Sequence, residues 1–264
     1  MTLLTSTARR AAAALAAAAF AAVCALPAAA AEPAPAAPLT REDVEKIVRE
    51  TLIKNPEILQ EVAAELEKRA SADESERRKL VLEANRERLL GAPQSAVLGN
   101  PQGDVTVVEF FDYNCGFCKR ALTDLIELMK TDDRVRVVLK DFPVLRESSV
   151  DAAKVAVAVK VQATPAKFLE FHQKLMGGRA EATRERALAV AKEVGLDMAR
   201  LAKDIDSDGV KASLQETFQL AQDLGLSGTP SYVIGDNVLI GAVGLPKLQD
   251  HVKSTRDSCK TTRC

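Results

Sequence analysis

Two closely spaced cysteines, Cys115 and Cys118, stand where a predicted strand passes into a predicted helix. The run VTVVEFF (105–111) is β-branched and aromatic, as in a buried strand. After Cys118, apolar residues recur at helical spacing through CKRALTDLIELMK (118–130). Few kinds of chain place a C-x-x-C pair at such a junction, so this feature limits the fold and the chemistry together.

The chain beyond this junction alternates between strand and helix signals. The segment RVRVVLKDF (134–142) predicts a second strand, and residues 148–226 predict a block of helices. The segment TPSYVIGDNVLIGAVG (229–244) predicts a β-hairpin with its turn at 235–237, and a helix follows. The order predicts an α/β fold with a helical insertion.

A structural metal or haem site does not fit the cysteine spacing. Zinc sites commonly use two close pairs of ligands, and the other pair, Cys259 and Cys264, lies in a polar tail. Haem attachment needs a histidine after the second cysteine, where Lys119 stands. A structural disulfide remains the alternative, but a position at the start of a helix favours a redox dithiol.

The start of the helix gives the two sulfurs different roles. A sulfur at Cys115 would face the unsatisfied N–H groups and the positive end of the helix dipole, which favours thiolate and lowers its pKa. We therefore expect Cys115 to be the exposed nucleophile. Cys118, one turn later, is expected to face inward and to act as the resolving thiol.

The N-terminus has the layout of a secretory signal peptide, predicted to cover residues 1–31. Two arginines precede an apolar run and a small-residue end, and the run is short for the alternative, a membrane anchor. Cleavage would leave 34 basic and 37 acidic residues, a net charge of −3, and four cysteines. Such a balance gives no reason to expect nucleic acid as a partner, and export places the thiols in an oxidising compartment.

A Pro/Ala tether (32–38) and a helical arm (39–96) are predicted next. Thr40 and Asp43 have the spacing of a capping box, and Asn55-Pro56 interrupts the helical pattern. The apolar stripes of the arm are too narrow to form a core. The arm is therefore either solvated, or packed on the main domain, or a stalk for self-association.

The segments VVEFFDYNCGFCKR and GTPSYVIGD resemble the DsbA-like branch of the thioredoxin superfamily over about residues 97–254. With IVRETLIKNPEILQEVAAEL in the arm, the chain is similar to ScsC-type periplasmic disulfide oxidoreductases, some of which trimerise. The resemblance implies a periplasmic protein with a thioredoxin domain over 97–256, an insertion over about 148–226, and a tail over 257–264.

The resemblance also assigns roles to residues around the dithiol. It implies that Pro230 is cis and that Thr229 and Pro230 seat the substrate beside the Gly116-Phe117 dipeptide. It matches Glu109 and Lys140 to an acidic–basic pair that exchanges a proton with Cys118. The alternative is that these charges sit at solvent-facing strand ends. His172 is expected to pack rather than to react, and Cys259 and Cys264 are expected to form a bridge.

These features predict a thiol–disulfide oxidoreductase that acts on protein thiols or disulfides without an organic cofactor or a resident metal. An isomerase or reductase is favoured, because Gly116-Phe117 differs from the Pro-His of the strongly oxidising DsbA. The resemblance implies a homo-oligomer, with a trimer expected, and a membrane redox partner. The alternatives are a monomeric dithiol oxidase, a copper-binding protein that uses the same thiolates, and a chaperone in which the arm does the binding.

Overall fold

The structure is a computed structural model that describes residues 38–91, 96–259 and 264. The predicted signal peptide and residues 32–37 of the predicted tether lie outside the described residues. Within the described ranges, no helix combines the length and the hydropathy that a bilayer span requires. The chain divides into two compact units, Met1–Gln60 and Glu61–Cys264, which are described in turn.

The first unit contains helix α1 (Arg41–Lys54) and the start of helix α2 (Glu57–Ala84). The predicted capping box is confirmed, because the Thr40 hydroxyl accepts from the Asp43 N–H at 3.2 Å and the Asp43 carboxylate accepts from the Thr40 N–H at 3.0 Å. None of the α1 side chains is buried. Its apolar stripe, with Val48 51% exposed, therefore forms no core with the other described residues.

The second unit is built on a five-stranded sheet in the order β1-β3-β2-β4-β5. Strands β2 and β3 are parallel, and the other neighbouring pairs are antiparallel. The α/β architecture with a helical insertion between β3 and β4 is confirmed. The strands are β1 (Ala96–Gly99), β2 (Val105–Phe111), β3 (Val135–Asp141), β4 (Ser231–Ile234) and β5 (Asn237–Ile240).

The helices of this unit cover both faces of the sheet, which matches the apolar character of β2 and β3, buried along their whole length. After the end of α2, they are α3 (Arg86–Gly91), α4 (Gly116–Thr131), α5 (Glu147–Gln162), α6 (Pro165–Gly177), α7 (Arg184–Glu193), α8 (Met198–Asp204), α9 (Asp208–Asp223) and α10 (Leu245–Ser258).

One strand of the structure differs from the sequence prediction. Strand β1 was not predicted, because its four residues are too few to show a period. Gly209, a residue type that weakens helices, lies in the first turn of α9. The helix begins after Ser207, whose hydroxyl accepts from the Val210 N–H at 3.3 Å.

The sheet separates two apolar clusters. One face carries Val107, Val137 and Tyr232 toward α4 and the insertion. The opposite face carries Val108, Phe110 and Val138. Leu82 and Leu89, which are 5% and 3% exposed, pack into this second cluster. The end of α2 and all of α3 therefore belong to the unit that contains the sheet, while the boundary between arm and domain at 96/97 stays a prediction.

Candidate active site

The dithiol lies at the first turn of α4, as predicted. Cys115 is the N-cap residue, and its sulfur accepts from the Cys118 N–H at 3.3 Å. Both thiols are free. The expectation of an exposed nucleophile is wrong, because Cys115 is only 4% exposed. The reason is the approach of the segment before β4, where the Thr229 carbonyl oxygen lies 3.2 Å from the Cys115 sulfur.

The surroundings of Cys115 favour its thiolate. A hydrogen bond from the Cys118 thiol is the main cause that lowers the pKa of Cys115 to about 5, and burial opposes it. Thr229 and the N–H groups of Cys118 and Phe117 act in the same direction as the thiol. The N-terminal turn of a helix supplies these donors because its first N–H groups have no partner within the helix. The geometry therefore supports the expected helix-terminus effect.

Cys118 is held in the opposite protonation state. It is 1% exposed, and its pKa is raised because its thiol donates to Cys115, with burial and the nearby Glu109 acting in the same direction. One sulfur of the pair is therefore a thiolate near neutral pH, while the other keeps its proton. This asymmetry is the one that a nucleophile at Cys115 and a resolving thiol at Cys118 would need, and the two roles stay a prediction.

Glu109 lies on the face of the sheet that carries the dithiol. It is directly opposite Tyr232 in the antiparallel β2–β4 pair, so the two side chains share one face. Burial raises the pKa of Glu109 to about 8, and a hydrogen bond from Tyr232 opposes this rise. A buried carboxyl that titrates near neutral pH can accept and return a proton, and Cys118 is influenced by its charge.

Lys140 is not the partner of Glu109, which corrects the pair implied by the resemblance. In the parallel register, Glu109 is opposite Leu139 and Lys140 is opposite Phe110, so Lys140 points to the other face of the sheet. Its ammonium donates to the Arg88 carbonyl at 2.7 Å and lies 3.3 Å from the Glu216 carboxylate. Lys140 is also not solvent-facing, because its side chain is only 3% exposed.

The predicted substrate seat is next to the sulfur. The Thr229–Pro230 peptide bond is cis, as the resemblance implied. The Thr229 hydroxyl is buried and contributes to the low pKa of Cys115. Gly116 and Phe117 face outward, and the Phe117 ring is 58% exposed with the Arg120 guanidinium 4.5 Å from its centroid.

The sequence interpretation passed over the residues just before Cys115. Asp112 is 1% exposed, and its carboxylate accepts from the N–H groups of Asn114 at 2.7 Å and of Val144 and Leu145 at 3.0 Å each. The only local signal was an acid directly after an apolar strand. The partners in the 144–145 loop could not be read from the sequence.

His172 packs, as expected. It is buried against Phe111 and Phe168, with ring centroids 4.9 and 5.9 Å away. Burial lowers its pKa to about 3, so it is neutral at physiological pH.

The predicted bridge between Cys259 and Cys264 is confirmed. Cys264 also lies beside β2, because its N–H donates to the Asp104 carbonyl at 2.9 Å and its carbonyl accepts from Thr106 at 2.8 Å. This second cysteine pair therefore fastens the end of the described chain to the sheet, and the dithiol of α4 is separate from it.

Comparison with known proteins places this geometry in a family. Residues 106–253 match the family described as DSBA-like thioredoxin domain, and residues 41–72 match the copper resistance protein ScsC N-terminal domain. A thioredoxin-like oxidoreductase from Silicibacter pomeroyi is 43% identical, with a TM-score of 0.63 over 66% of this chain and 99% of that protein. A linker-deletion mutant of Proteus mirabilis ScsC is 29% identical, with a TM-score of 0.64 over 85% of this chain and all of that protein.

A curated relative is longer. The Na(+)/H(+) antiporter NhaA 3 of Salinispora tropica is 26% identical over 164 residues, which are 62% of this chain and 25% of the antiporter. The chain thus spans about a quarter of the length of the curated antiporters it matches. The family match covers more than half of the chain and includes the strand, the dithiol, the insertion and the hairpin. The chain belongs to the DSBA-like thioredoxin domain family, and residues 41–72 of its N-terminal segment are similar to the ScsC N-terminal domain.

Proposed function

We propose that this protein is a periplasmic disulfide isomerase or reductase that acts on protein substrates through Cys115 and Cys118. The observation that carries the proposal is the position of the Cys115 sulfur at the N-cap of α4, where its pKa is about 5. A sulfur of this kind is a thiolate at neutral pH, and the thiolate is the form that attacks disulfides.

The reaction begins when the Cys115 thiolate attacks one sulfur of a substrate disulfide. A bond forms between Cys115 and that sulfur, and the other substrate sulfur leaves as a thiolate. If that thiolate, or another one of the substrate, attacks the mixed disulfide, Cys115 is released and the substrate disulfide is rearranged without net oxidation. This is the isomerase cycle.

The reductase branch needs Cys118. Its proton passes to Glu109, and the Cys118 thiolate attacks the Cys115 sulfur. The bond between Cys115 and the substrate breaks, and the substrate sulfur that was bonded to Cys115 leaves as a thiolate. The substrate has then gained two electrons, and the protein is left with a Cys115–Cys118 disulfide. Reduction by a membrane partner would return the dithiol to its starting state.

Substrate binding is assigned to the surface beside the sulfur. The Thr229 carbonyl is 3.2 Å from the sulfur, and Thr229 with Pro230 leads into β4, so an extended substrate segment can lie along this backbone. Phe117 offers an exposed aromatic face next to the dithiol. These groups would meet the backbone and the apolar side chains of a substrate, which suits unfolded polypeptides of varied sequence.

Self-association through α1 would place several dithiols around one substrate. Val44, Ile47 and Val48 are 45–51% exposed along one side of the helix, and residues 41–72 match the ScsC N-terminal domain. We propose that copies of α1 cover these stripes in a homo-oligomer, a trimer by resemblance. Location in the periplasm is supported by the Cys259–Cys264 disulfide, since such bridges persist in oxidising compartments.

The test compares refolding of scrambled ribonuclease with oxidation of reduced ribonuclease, while light scattering gives the oligomeric state. Val48→Glu places a charge in the α1 stripe and leaves the sheet unit unchanged. Lys46→Glu is the matched control, because it adds the same side chain on the far side of the same helix. We avoid truncation near Val97, which would remove Leu82 and Leu89 from the core of the sheet unit.

We expect Val48→Glu to give monomers that reduce disulfides but no longer isomerise them, while Lys46→Glu behaves as wild type. A monomeric wild type, or a monomeric variant that still isomerises, contradicts the stalk and favours a monomeric oxidase.

A further inference from the structure

The tripeptide Asp112-Tyr113-Asn114 connects the end of β2 to Cys115, and each of its side chains is tied to another segment. Asp112 binds the N–H groups of residues 144–145. The Tyr113 hydroxyl is 3.1 Å from Nδ1 of His172, which lies in α6. Asn114 reaches the loop between α6 and α7. Two of these three ties therefore run into the helical insertion.

The Asn114 tie is the most specific of the three. Its Oδ1 accepts from the Ala182 N–H at 2.8 Å, and its Nδ2 donates to the Ala182 carbonyl at 3.0 Å. The same Nδ2 lies 3.1 Å from the Ser149 hydroxyl at the start of α5. The amide thus pairs with both backbone groups of one residue, as a neighbouring strand would, and Ala182 is 1% exposed. Such a bridge fixes position and orientation together.

Asn114 immediately precedes the nucleophile. The Cys115 N–H donates to the Asp112 carbonyl at 3.0 Å, and the Cys115 sulfur accepts from the Cys118 N–H at 3.3 Å. The position of the sulfur at the N-terminal end of α4 therefore depends on the backbone of residues 112–115. Interaction with a helix terminus fades within one turn, and hydrogen bonds weaken steeply as their angle worsens. A small displacement of this backbone would change how well the thiolate is stabilised.

We propose that Asn114 is a positioning residue through which the helical insertion holds the Cys115 sulfur against the N-terminal end of α4 and so makes the dithiol more oxidising. The chemical link is that any interaction that stabilises the thiolate stabilises the reduced protein, which makes its disulfide a stronger oxidant. The inference rests on Cys115 being the nucleophile in the proposed function. It adds that the insertion sets the redox poise of the dithiol.

The experiment removes the Asn114 bridge in one variant and a second amide bridge, that of Asn100, in a control variant. Asn114→Ala removes the tie to Ala182 and Ser149. Asn100→Ala is the matched control, because the Asn100 amide also bridges backbone groups, donating to the Asp133 carbonyl and accepting from the Gln102 N–H at 2.8 Å each. The readouts are the pH titration of the Cys115 thiolate by ultraviolet absorbance and the redox equilibrium with glutathione. Thermal unfolding checks that each variant is folded.

For Asn114→Ala we expect the midpoint of the Cys115 titration to rise by about one pH unit. The equilibrium with glutathione should shift about tenfold toward the oxidised protein, equivalent to about 30 mV. Asn100→Ala should match wild type in both readouts. Equal titrations in wild type and Asn114→Ala overturn the inference. Equal shifts in both variants also overturn it, because they would show general loosening rather than positioning.

If Asn114→Ala does not fold, Ser149→Ala decides, since it removes only one partner of the Asn114 amide. A smaller rise of the Cys115 titration midpoint in Ser149→Ala supports the inference. An unchanged midpoint overturns it. Failure of the proposed function looks different, because the wild type itself would then lack an acidic Cys115 titration or would fail to isomerise.

Discussion

The two faces of the sheet each bury a charged side chain from a central strand, and they use it differently. Glu109 of β2 faces α4 and the dithiol, where its direct neighbour across the strands is Tyr232. Lys140 of β3 faces α3 and α9, where it donates to the Arg88 carbonyl and pairs with Glu216. The acid lies close enough to the dithiol for its charge to raise the pKa of Cys118. The cation instead satisfies a carbonyl near the end of a short helix.

Arg136 repeats the pattern of Lys140 four residues earlier on the same strand. Its guanidinium donates to the Leu90 carbonyl at 2.6 Å. The last carbonyls of a helix have no partner within the helix, and basic side chains often bind them. Two cations of β3 thus hold α3 on the sheet. The buried acid of one face of the sheet thus lies beside the dithiol, whereas the buried cations of the other face bind carbonyls of α3.

The largest expected effect is the loss of disulfide exchange when the dithiol loses its nucleophile. Cys115→Ser should lower the rate of disulfide exchange by at least about a thousandfold, because a hydroxyl cannot replace the thiolate nucleophile. The measurement is reduction of a model disulfide substrate. The double variant Cys259→Ser, Cys264→Ser should keep the wild-type rate, and an equal loss in both would contradict the assignment of the nucleophile.

On the dithiol face, Glu109→Gln should slow release of a mixed disulfide by Cys118 by about a hundredfold. In the wild type, release should speed up as pH rises through about 8, the pKa of Glu109, because the carboxylate can then accept the Cys118 proton. The glutamine variant should lack this step in its pH profile. A rate and profile equal to wild type would leave Glu109 with a structural role alone.

Glu109 should also make stability depend on pH. Its folded pKa is raised from 4.5 to about 8, so the folded protein binds this proton more tightly than the unfolded chain does. Its favourable contribution is complete below pH 4.5 and is lost as pH rises toward 8, at a cost of about 3 kcal/mol by pH 7. Urea unfolding of the oxidised protein, in which the thiols do not titrate, should show this loss in wild type and not in Glu109→Gln.

On the opposite face, Lys140→Met should lower the free energy of unfolding by about 2 kcal/mol, because it leaves the Arg88 carbonyl without its buried donor. Disulfide exchange should be unchanged. Urea unfolding and the exchange assay on the same variant check both statements. A variant with normal stability and slow exchange would restore the catalytic pair that the register of β2 and β3 argues against.

The sequence was most informative where the physical signal is local. The C-x-x-C at a strand–helix junction, the capping box at Thr40 and the turn at Gly235 each depend on a few neighbouring residues, and all three are present in the structure. Resemblance supplied the cis bond before Pro230, which the residues alone did not favour. These features were enough to predict the α/β fold and the place of the dithiol at the start of a helix.

The features that the sequence did not predict depend on contacts between segments that are distant in the chain. A shift of one residue in strand register moves a side chain to the other face, so Lys140 could not be placed without the β2–β3 pairing. Asn114 meets Ala182, 68 residues later, and nothing in the local sequence indicates that bridge. The low exposure of Cys115 likewise comes from Thr229, more than a hundred residues away.

The central claim is that Cys115 is the stabilised thiolate at the N-terminal end of α4, and one titration tests it most directly. The ultraviolet absorbance of the thiolate is followed from acid to alkaline pH in the reduced protein and in Cys115→Ser. The structure predicts a transition near pH 5 in the wild type that is absent from the variant. A first transition near the free-thiol value of about 8.5, or an acidic transition that persists in Cys115→Ser, would contradict the claim.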